Sequence, residues 1–396
     1  MTITIKFKSM CADIVFVGGG PVGLWTAIQA KKNNAALDIT VYERYPEYQR
    51  SHVLRLEHVS LLLWAKMKND TAEAAFIEDV TGKKKLSQVF AKSATAGAVY
   101  IATNDLENAL KDYAAKLGIN VVYKKIESPD EAEALHPECC LFVAADGAHS
   151  KMREAVFGKD ILDETTLQHI VEMKYKADGK AGRLTMAETL KTAKLVKSQI
   201  FEYVGRERNG ETPVTLRFFV DDDTYAKMPE ATFKKPLAHD DPQLPATLSE
   251  DIKTYMAVRR EKAGENYQQG SDKLSKLTLS VYKAKKFAAN RGQKAWFLAG
   301  DAAMGLPYFR SLNAGMIIGS QLGGILAQGL LSRTAKVGAY NLLQPADTMI
   351  EIAGAKAKNQ GIKALDAFRK LDAKNPLSPL KWGKGDKKKF KKRHDP

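Results

Sequence analysis

The chain has 396 residues, of which 44% are hydrophobic and 27% are charged. This length and composition are typical of a globular protein with about two domains and a sizeable core. No apolar run reaches the ~20 residues that a membrane-spanning helix needs, and the first residues lack the apolar stretch of a signal peptide. Three cysteines without C-x-x-C spacing do not suggest a disulfide framework, and the seven histidines show no metal-ligand spacing. We therefore expect a cytoplasmic protein with no transmembrane segment and no metal site.

The net charge of +15 lies partly at the end of the chain, where residues 381–396 hold eight Lys or Arg and two Asp. One interpretation is a solvated, disordered basic tail. The other is a contact with an acidic partner or an anionic membrane surface. No motif of a nucleic-acid-binding module accompanies these charges, so we do not expect sequence-specific binding of nucleic acid.

The stretch from residue 13 to residue 43 has the pattern of a dinucleotide-binding βαβ unit. An apolar strand over 14–17 leads into G-x-G-x-x-G at Gly18, Gly20 and Gly23, and a helical pattern runs from Pro21 through Val22 to about residue 32. In such a unit the first glycine allows a tight turn, the second lets the backbone approach a pyrophosphate, and the third lets helix and strand pack closely. The N-terminus of the helix attracts the phosphate charge.

The second strand of this unit ends on Glu43, twenty residues after the last glycine. A carboxylate at that point accepts hydrogen bonds from the ribose hydroxyls and would repel a 2′-phosphate. NADP is nevertheless not excluded as the ligand, because Arg44 lies beside Glu43. The motif by itself does not separate FAD from NAD.

Further along, Arg50 lies in a polar loop, where it either reaches the cofactor or belongs to a surface loop with scattered charge. The apolar spacing over 104–117 predicts a helix capped by Asn104 or Asp105. The pattern over 130–135 indicates a short acidic insertion, and residues 140–145 are predicted as a buried strand.

Two more motifs follow apolar strands. The strand at 140–145 runs into D-G-x-x-S-x-x-R, from Asp146 to Arg153, and a later strand ends in G-D-A-A, from Gly300 to Ala303. In this order and spacing, the three motifs resemble the fingerprints of FAD-dependent monooxygenases related to para-hydroxybenzoate hydroxylase, the group A flavoproteins. The resemblance covers most of the FAD-binding part.

The resemblance implies an α/β, Rossmann-like FAD-binding fold with an inserted antiparallel β-sheet substrate domain and a helical C-terminus. Alternating segments such as 169–175, 198–204, 214–220 and 277–282 favour the inserted sheet. The predicted parts are a first FAD-binding segment (1–165), the substrate domain (166–285), a second FAD-binding segment (286–333), C-terminal helices (334–380) and a basic disordered tail (381–396).

The resemblance also implies roles for single residues. Asp301 would accept from a ribityl hydroxyl, Asp146 would lie near the pyrophosphate, and a helix from about Asn313 would point its N-terminus at the flavin. The alternatives are a helix N-cap for Asp301 and a turn residue for Asp146. The predicted cofactor-binding residues are Gly18, Gly20, Pro21, Val22, Gly23, Glu43, Arg44, Arg50, Asp146, Gly300, Asp301, Pro307, Leu312 and Asn313.

The implied activity is that of a monooxygenase in which NADH or NADPH reduces FAD, and dioxygen then forms a flavin C4a-hydroperoxide that oxygenates an organic substrate. No catalytic residue is assigned, because the cofactor carries the chemistry. The substrate is a small molecule or a protein.

Two features keep alternatives open. Segment 307–313 is bulkier than the family's Gly-rich loop, and its Arg310 either places a cation beside the flavin or obstructs the site. Residues 50–54 resemble, over that short stretch only, the MICAL-type flavin monooxygenases. The alternatives are therefore MICAL-like oxidation of a protein partner, peroxide production, or a flavin-fold interaction protein without turnover.

Overall fold

A computed structural model describes residues 12–47, 53–57, 71–81, 98–205, 207–307 and 310–374. The chain divides into two compact units. One consists of Met1–Thr165 and Val281–Ala355, and the other of Thr166–Ser280 and Lys356–Pro396. None of the helices in the described ranges combines the length and the hydropathy that a bilayer crossing requires.

The helices and strands, labelled in chain order, fall into three stretches. The N-terminal stretch contains β1 (Ile14–Val17), α1 (Pro21–Asn33), β2 (Ile39–Glu43), β3 (Val53–Glu57), α2 (Thr71–Thr81), β4 (Ala98–Ala102), α3 (Thr103–Lys116), β5 (Asn120–Tyr123), α4 (Pro129–Leu135), β6 (Leu141–Ala144) and α5 (Lys151–Phe157). The middle stretch contains β7 (Leu162–Asp178), α6 (Met186–Thr192), β8 (Gln199–Val204), β9 (Glu211–Val220), α7 (Asp222–Lys227), α8 (Ala246–Lys262), β10 (Asn266–Tyr267) and β11 (Lys273–Ala284). The last contains β12 (Ala288–Arg291), β13 (Lys294–Leu298), β14 (Met304–Gly305), α9 (Arg310–Leu326) and α10 (Arg333–Lys374).

The first unit is built on a sheet whose described strands have the order β12-β13-β6-β1-β2-β5. The strands from β13 to β5 are parallel, and β12 is antiparallel to β13. All four residues of β1 are buried, as expected for a β-branched and aromatic run in the centre of a parallel sheet. Because parallel strands end at one edge, the segments after β1, β6 and β13 meet at the same edge of the sheet.

Helices α1 and α9 cross closely beside this sheet. Gly319 and Gly323 of α9 lie against Thr26 and Ala30 of α1, where a Cβ on either glycine would collide with α1. The indole of Trp25 donates to the Met316 carbonyl at 3.0 Å, which joins the two helices further. The glycines of the apolar segment after the third motif therefore serve close helix packing.

In the second unit, β8 and β7 each pair antiparallel with β9, and β10 pairs antiparallel with β7. Alternate residues of β7, including Val171 and Met173, are buried on one face of the sheet and share a core with Leu248 and Ile252 of α8. The residues between them point to the other face of the sheet and include polar residues such as Glu172, which pairs with Arg217 at 2.8 Å. The alternation predicted for this region is thus explained by a sheet with one apolar and one more polar face.

A buried polar cluster lies in the same unit. The guanidinium of Arg259, which is fully buried, donates to Glu265 at 2.5 Å and to the Tyr175 hydroxyl at 3.0 Å, and it also pairs with Glu202. A buried guanidinium requires such partners, because an unpaired charge in the interior is strongly destabilising.

One local expectation needs correction. Helix α3 has Ala102 as its N-cap and no side-chain cap, so neither Asn104 nor Asp105 caps it. The short acidic insertion at 130–135 forms helix α4, whose Glu133 accepts from the Trp296 indole at 2.7 Å and pairs with Arg291. Contacts with residues more than 150 positions away fix this helix, and the local sequence does not contain them.

Candidate functional site

The Gly-rich turn after β1 is shaped by close contacts on two of its three motif glycines. Gly18 has φ of +109°, and a Cβ there would collide with the Ala145 carbonyl, while a Cβ on Gly23 would collide with Gly18. Gly20 has an extended conformation, and a Cβ there would meet no atom within 4 Å. Its backbone therefore faces open space, on the side where a ligand can approach.

Helix α1 begins directly after this turn, and no capping side chain accepts a hydrogen bond from its first backbone amides. Its N-cap is Gly20, which has no side chain to accept from the first turn, Pro21 occupies the first position, and no acidic residue lies in that turn. Such a helix start presents N–H donors and positive dipole charge to an anion.

Glu43 is held beside the turn by backbone amides. One carboxylate oxygen accepts from Gly19 N at 2.8 Å, and the other accepts from Tyr45 N at 2.9 Å. Each oxygen keeps a second lone pair for another donor. Arg44 is exposed, and its guanidinium lies over the Tyr45 ring at 4.8 Å. The structure thus brings the first motif and Glu43 together.

A buried carboxylate near Glu43 escaped the sequence analysis. Glu107 of α3 has a side chain that is only 1% exposed, and it pairs with Lys111 at 2.7 Å. Burial raises the pKa of the Glu107 carboxyl to about 7; Lys111 lowers it, and the negative charge of Glu43 adds to the rise. Lys111 also donates to the Pro46 carbonyl at 2.9 Å. The signal in the sequence was a Glu on the apolar face of a helix with a Lys four residues later.

The second motif forms the capped start of α5. Asp146 accepts from the Ser150 hydroxyl and from Met152 N at 3.3 Å, and Ser150 in turn accepts from Arg153 N at 2.9 Å. Burial raises the pKa of Asp146, while these hydrogen bonds oppose the rise. The carboxylate therefore has a local role in the turn, beside the pyrophosphate role that the resemblance implies.

Arg153, the last residue of the second motif, ties that motif to the third. Its buried guanidinium donates to the Ala302 carbonyl at 3.1 Å and to the Ala148 carbonyl at 2.9 Å. The first motif also touches the third, because a Cβ on Gly300 would lie 3.1 Å from Val22. The three motifs are thus brought together at one edge of the sheet.

Asp301 of the third motif has partners on two sides. It lies in the short 3₁₀ turn Gly300–Ala302, where Ala299 is the N-cap, so Asp301 does not take the N-cap role. Its carboxylate accepts from the Ser311 hydroxyl, and its carbonyl accepts from the Tyr282 hydroxyl at 2.9 Å. Burial and the charge of Asp301 raise the pKa of Tyr282.

The segment after the third motif carries the remaining predicted residues. Helix α9 begins at Arg310, three residues before the predicted start. Pro307 and Leu312 are buried, and the side-chain oxygen of Asn313 accepts from Glu57 N at 2.8 Å. Arg310 pairs with Glu351 of α10 at 2.7 Å. Its charge is therefore neutralised by a carboxylate of the same unit.

Three residues of the predicted site lie outside the described residues. They are Arg50, in the loop after the first motif, and the bulky Tyr308 and Phe309 of segment 307–313. Within the described ranges, no group of His, Cys, Asp or Glu has a metal-binding arrangement.

No protein-family model and no curated protein matches this sequence, but solved structures match its fold. The aromatic hydroxylase CabE from angucycline biosynthesis is 16% identical with a TM-score of 0.58, and the match covers 92% of this chain and 73% of CabE. A mutant form of MHPCO is 15% identical with a TM-score of 0.53, and the match covers 93% of this chain and 95% of that chain. CtdE in complex with FAD is 13% identical with a TM-score of 0.51, and the match covers 89% of this chain and 94% of CtdE.

Likeness at these identities establishes the fold alone. The predicted α/β fold is confirmed: a Rossmann-like parallel sheet, an antiparallel sheet and a helical C-terminus. The predicted resemblance to hydroxylase-type flavoproteins is confirmed at the level of the fold.

Proposed function

We propose that this protein is an FAD-dependent oxidoreductase, a monooxygenase that uses NADH or NADPH and dioxygen to oxygenate an organic substrate. The proposal rests on one observation. The three motifs meet at one edge of the sheet, beside the backbone of Gly20, which faces open space. Val22, Arg153 and Gly300 connect the motifs, and Gly20 faces open space at the start of a helix without a side-chain cap. The fold likeness to an aromatic hydroxylase and to a structure in complex with FAD supports the same assignment.

The residues around the first motif fit the ADP half of the cofactor. The amides at the start of α1 would bind the pyrophosphate, and Glu43, already oriented by Gly19, would accept from the ribose. Pro21, Val22 and Gly23 shape this turn, and Arg44 and Arg50 follow it in sequence. Asp146 would lie at the pyrophosphate side of the same sheet edge.

The residues of the third motif would hold the flavin half. Gly300 and Asp301 follow the strand β13, and Pro307, Leu312 and Asn313 lead into α9. Helix α9 would direct its N-terminal dipole at the flavin ring and favour negative charge there. When bound, FAD supplies hydride acceptance and dioxygen activation, while the protein positions the cofactor and excludes water.

A cytoplasmic location accompanies this proposal, because NADH and NADPH are cytoplasmic reductants and the described cysteines Cys139 and Cys140 are thiols. The substrate would be a small molecule, as for the hydroxylase neighbour, or a protein.

Purified full-length protein tests the proposal in two steps. Titration with FAD, followed by flavin absorbance and fluorescence, is expected to show stoichiometric binding. The loaded protein should then consume NADH or NADPH in air. Absence of FAD binding would refute the proposal. FAD binding without consumption of either nucleotide would favour an interaction protein, and rapid peroxide release without substrate would favour the peroxide-producing alternative.

A further inference from the structure

A charged pair interrupts the apolar face of helix α3. The buried residues of this helix are mostly apolar, among them Leu106, Leu110 and Tyr113, but Glu107 lies between them with a side chain that is only 1% exposed. Lys111, one turn further along, pairs with Glu107 at 2.7 Å and has a side chain that is 12% exposed. A buried ion pair contributes little to stability compared with apolar residues of similar volume. Stability alone therefore does not explain this pair.

The ammonium group of Lys111 reaches the surroundings of Glu43. It donates to the Pro46 carbonyl at 2.9 Å and lies 5.5 Å from the centre of the Tyr123 ring. Tyr123 is the residue of β5 that pairs with Glu43 of β2. Lys111 thus contacts both the strand beside Glu43 and the chain that follows it.

The segment after Glu43 is exposed and irregular. Residues 44–47 belong to no helix or strand and are exposed to solvent. Tyr45 N donates to the Glu43 carboxylate at 2.9 Å, which is a local contact, whereas the bond from Lys111 to the Pro46 carbonyl spans 65 positions of the chain. An anchor on a distant helix restricts the conformations of an exposed segment and orders its groups before a ligand arrives.

The contact at Pro46 continues to the Gly-rich turn. Tyr45, the neighbour of Pro46, donates its amide to one oxygen of Glu43, and the other oxygen accepts from Gly19 N at 2.8 Å. A series of polar contacts therefore leads from Lys111 on α3 to the turn after β1.

We propose that Lys111, held in place by Glu107, is a positioning residue for the ADP half of FAD. It fixes the segment after Glu43, so that the Glu43 carboxylate stays oriented towards the ribose that it would bind. Glu107 acts through Lys111 and does not contact the cofactor. Its charge restrains the long lysine side chain in the conformation that reaches Pro46. The inference rests on the proposed function, because it concerns the affinity for FAD.

A purely structural role is the competing interpretation, and Lys31 of α1 provides the comparison. The ammonium group of Lys31 also donates to a backbone carbonyl of a loop, that of Leu37, at 2.6 Å. Leu37 lies before β2, at the opposite edge of the sheet from Glu43. The two lysines thus make similar contacts, and that of Lys111 is the one beside the first motif.

Titration of the purified full-length protein with FAD tests the proposal. It is done at about pH 8.5, where the Glu107 carboxyl, with its pKa of about 7, is ionised. The variants are Lys111→Met, Lys111→Arg, Glu107→Gln and the double variant Glu107→Gln with Lys111→Met, and Lys31→Met is the matched control. Hydrogen exchange of the apoprotein, measured in peptides that contain residues 44–47, reports on the segment without any ligand.

Lys111→Met should weaken FAD binding at least about tenfold and speed hydrogen exchange of residues 44–47 at least about tenfold, because the charged hydrogen bond to Pro46 is lost. The absorption spectrum of the bound flavin, at saturating FAD, should stay that of the wild type, since the change lies at the ADP half. Lys111→Arg keeps a cationic donor and should recover most of the affinity. Lys31→Met should change neither FAD affinity nor the exchange of residues 44–47.

The double variant tests whether Glu107 acts through Lys111. Glu107→Gln alone should weaken FAD binding at least about threefold, and the double variant should bind FAD with the affinity of Lys111→Met. The double variant also leaves no buried charge without a partner, so it replaces Lys111→Met in the comparison with Lys31→Met if that single variant does not fold.

Three outcomes would overturn the inference while the proposed function stands. These are wild-type FAD affinity in Lys111→Met, an equal loss of affinity in Lys31→Met, and a double variant that binds FAD more weakly than Lys111→Met, which would mean that Glu107 contacts the cofactor directly. A wild-type protein that binds no FAD would overturn the proposed function and this inference together.

Discussion

Gly20 differs from the other glycines of its turn, because no neighbour requires it to be glycine. Its φ of −67° and ψ of 174° suit any residue, and its missing side chain faces open space. We predict that Gly20→Val lowers the stability of the apoprotein by no more than about 1 kcal/mol, because Val is a poorer N-cap than Gly. The same change should lower FAD affinity at least about a hundredfold, because the isopropyl group fills the path of the pyrophosphate. FAD titration and thermal unfolding of the apoprotein measure the two quantities.

The matched control for this change is Gly338→Val, on α10, where a Cβ also meets no atom within 4 Å. It should bind FAD like the wild type. Equal FAD affinity of the two variants would show that the cofactor does not approach the backbone at Gly20.

The raised pKa of the buried Glu107 carboxyl predicts that the stability of the protein depends on pH. Its native pKa of about 7 lies above that of an unfolded Glu, so the native state binds more protons between the two values. The free energy of unfolding should therefore fall by about 1–3 kcal/mol as the pH rises from about 4.5 to about 7, and then stay level. Glu107→Gln should remove this fall, whereas Glu154→Gln, at an exposed glutamate, should retain it. Urea unfolding across this pH range checks both; parallel curves for wild type and Glu107→Gln would contradict the assignment.

At the scale of elements, the crossing of α1 and α9 predicts how the fold responds to a single side chain. Gly323 lies against the backbone of α1, where a Cβ would come within 2.8 Å of Ala30 N and 2.9 Å of the Thr26 carbonyl oxygen, so Gly323→Val must push the helices apart and should cost about 1–3 kcal/mol of unfolding free energy. Gly324 lies on the same helix with open space around it, and Gly324→Val should be neutral or slightly stabilising. Urea denaturation of the two variants measures the difference, and similar midpoints would mean that the helices are not in close contact.

At the scale of the whole molecule, FAD binding should stabilise the native state by mass action. At a concentration of a hundred times Kd, a ligand that binds only the native state adds about 2.7 kcal/mol to the free energy of unfolding. We expect this increase for the wild type and at most about 0.4 kcal/mol for Gly20→Val under the same conditions, since a hundredfold weaker Kd then equals the FAD concentration. Chemical denaturation with and without FAD decides the question, and an equal increase in both proteins would place FAD away from the first motif.

The sequence revealed those features that depend on neighbours along the chain. The G-x-G-x-x-G turn, the apolar strands before Asp146 and Gly300, and the alternation of the inserted sheet follow from local sterics and periodicity, so these elements were found with small errors at their ends. The resemblance of the three motifs to the flavoprotein fingerprints then predicted that an antiparallel sheet is inserted between two FAD-binding segments. The sequence did not predict helices α6 and α7, because short helices carry too little periodic signal. It also did not predict the N-cap of α3, because a cap depends on local geometry.

What only the tertiary structure decided is which groups meet across long separations in the chain. The pairing of Arg310 with Glu351, the carbonyl contacts of buried Arg153 and the burial of Glu107 near Glu43 depend on packing between distant elements. No signal in the sequence indicated which face of α10 packs inward and which stays exposed, because the inward face is defined only by the elements it covers. Local periodicity records what a residue prefers, whereas burial, pKa and partners are set by groups that the fold brings near it.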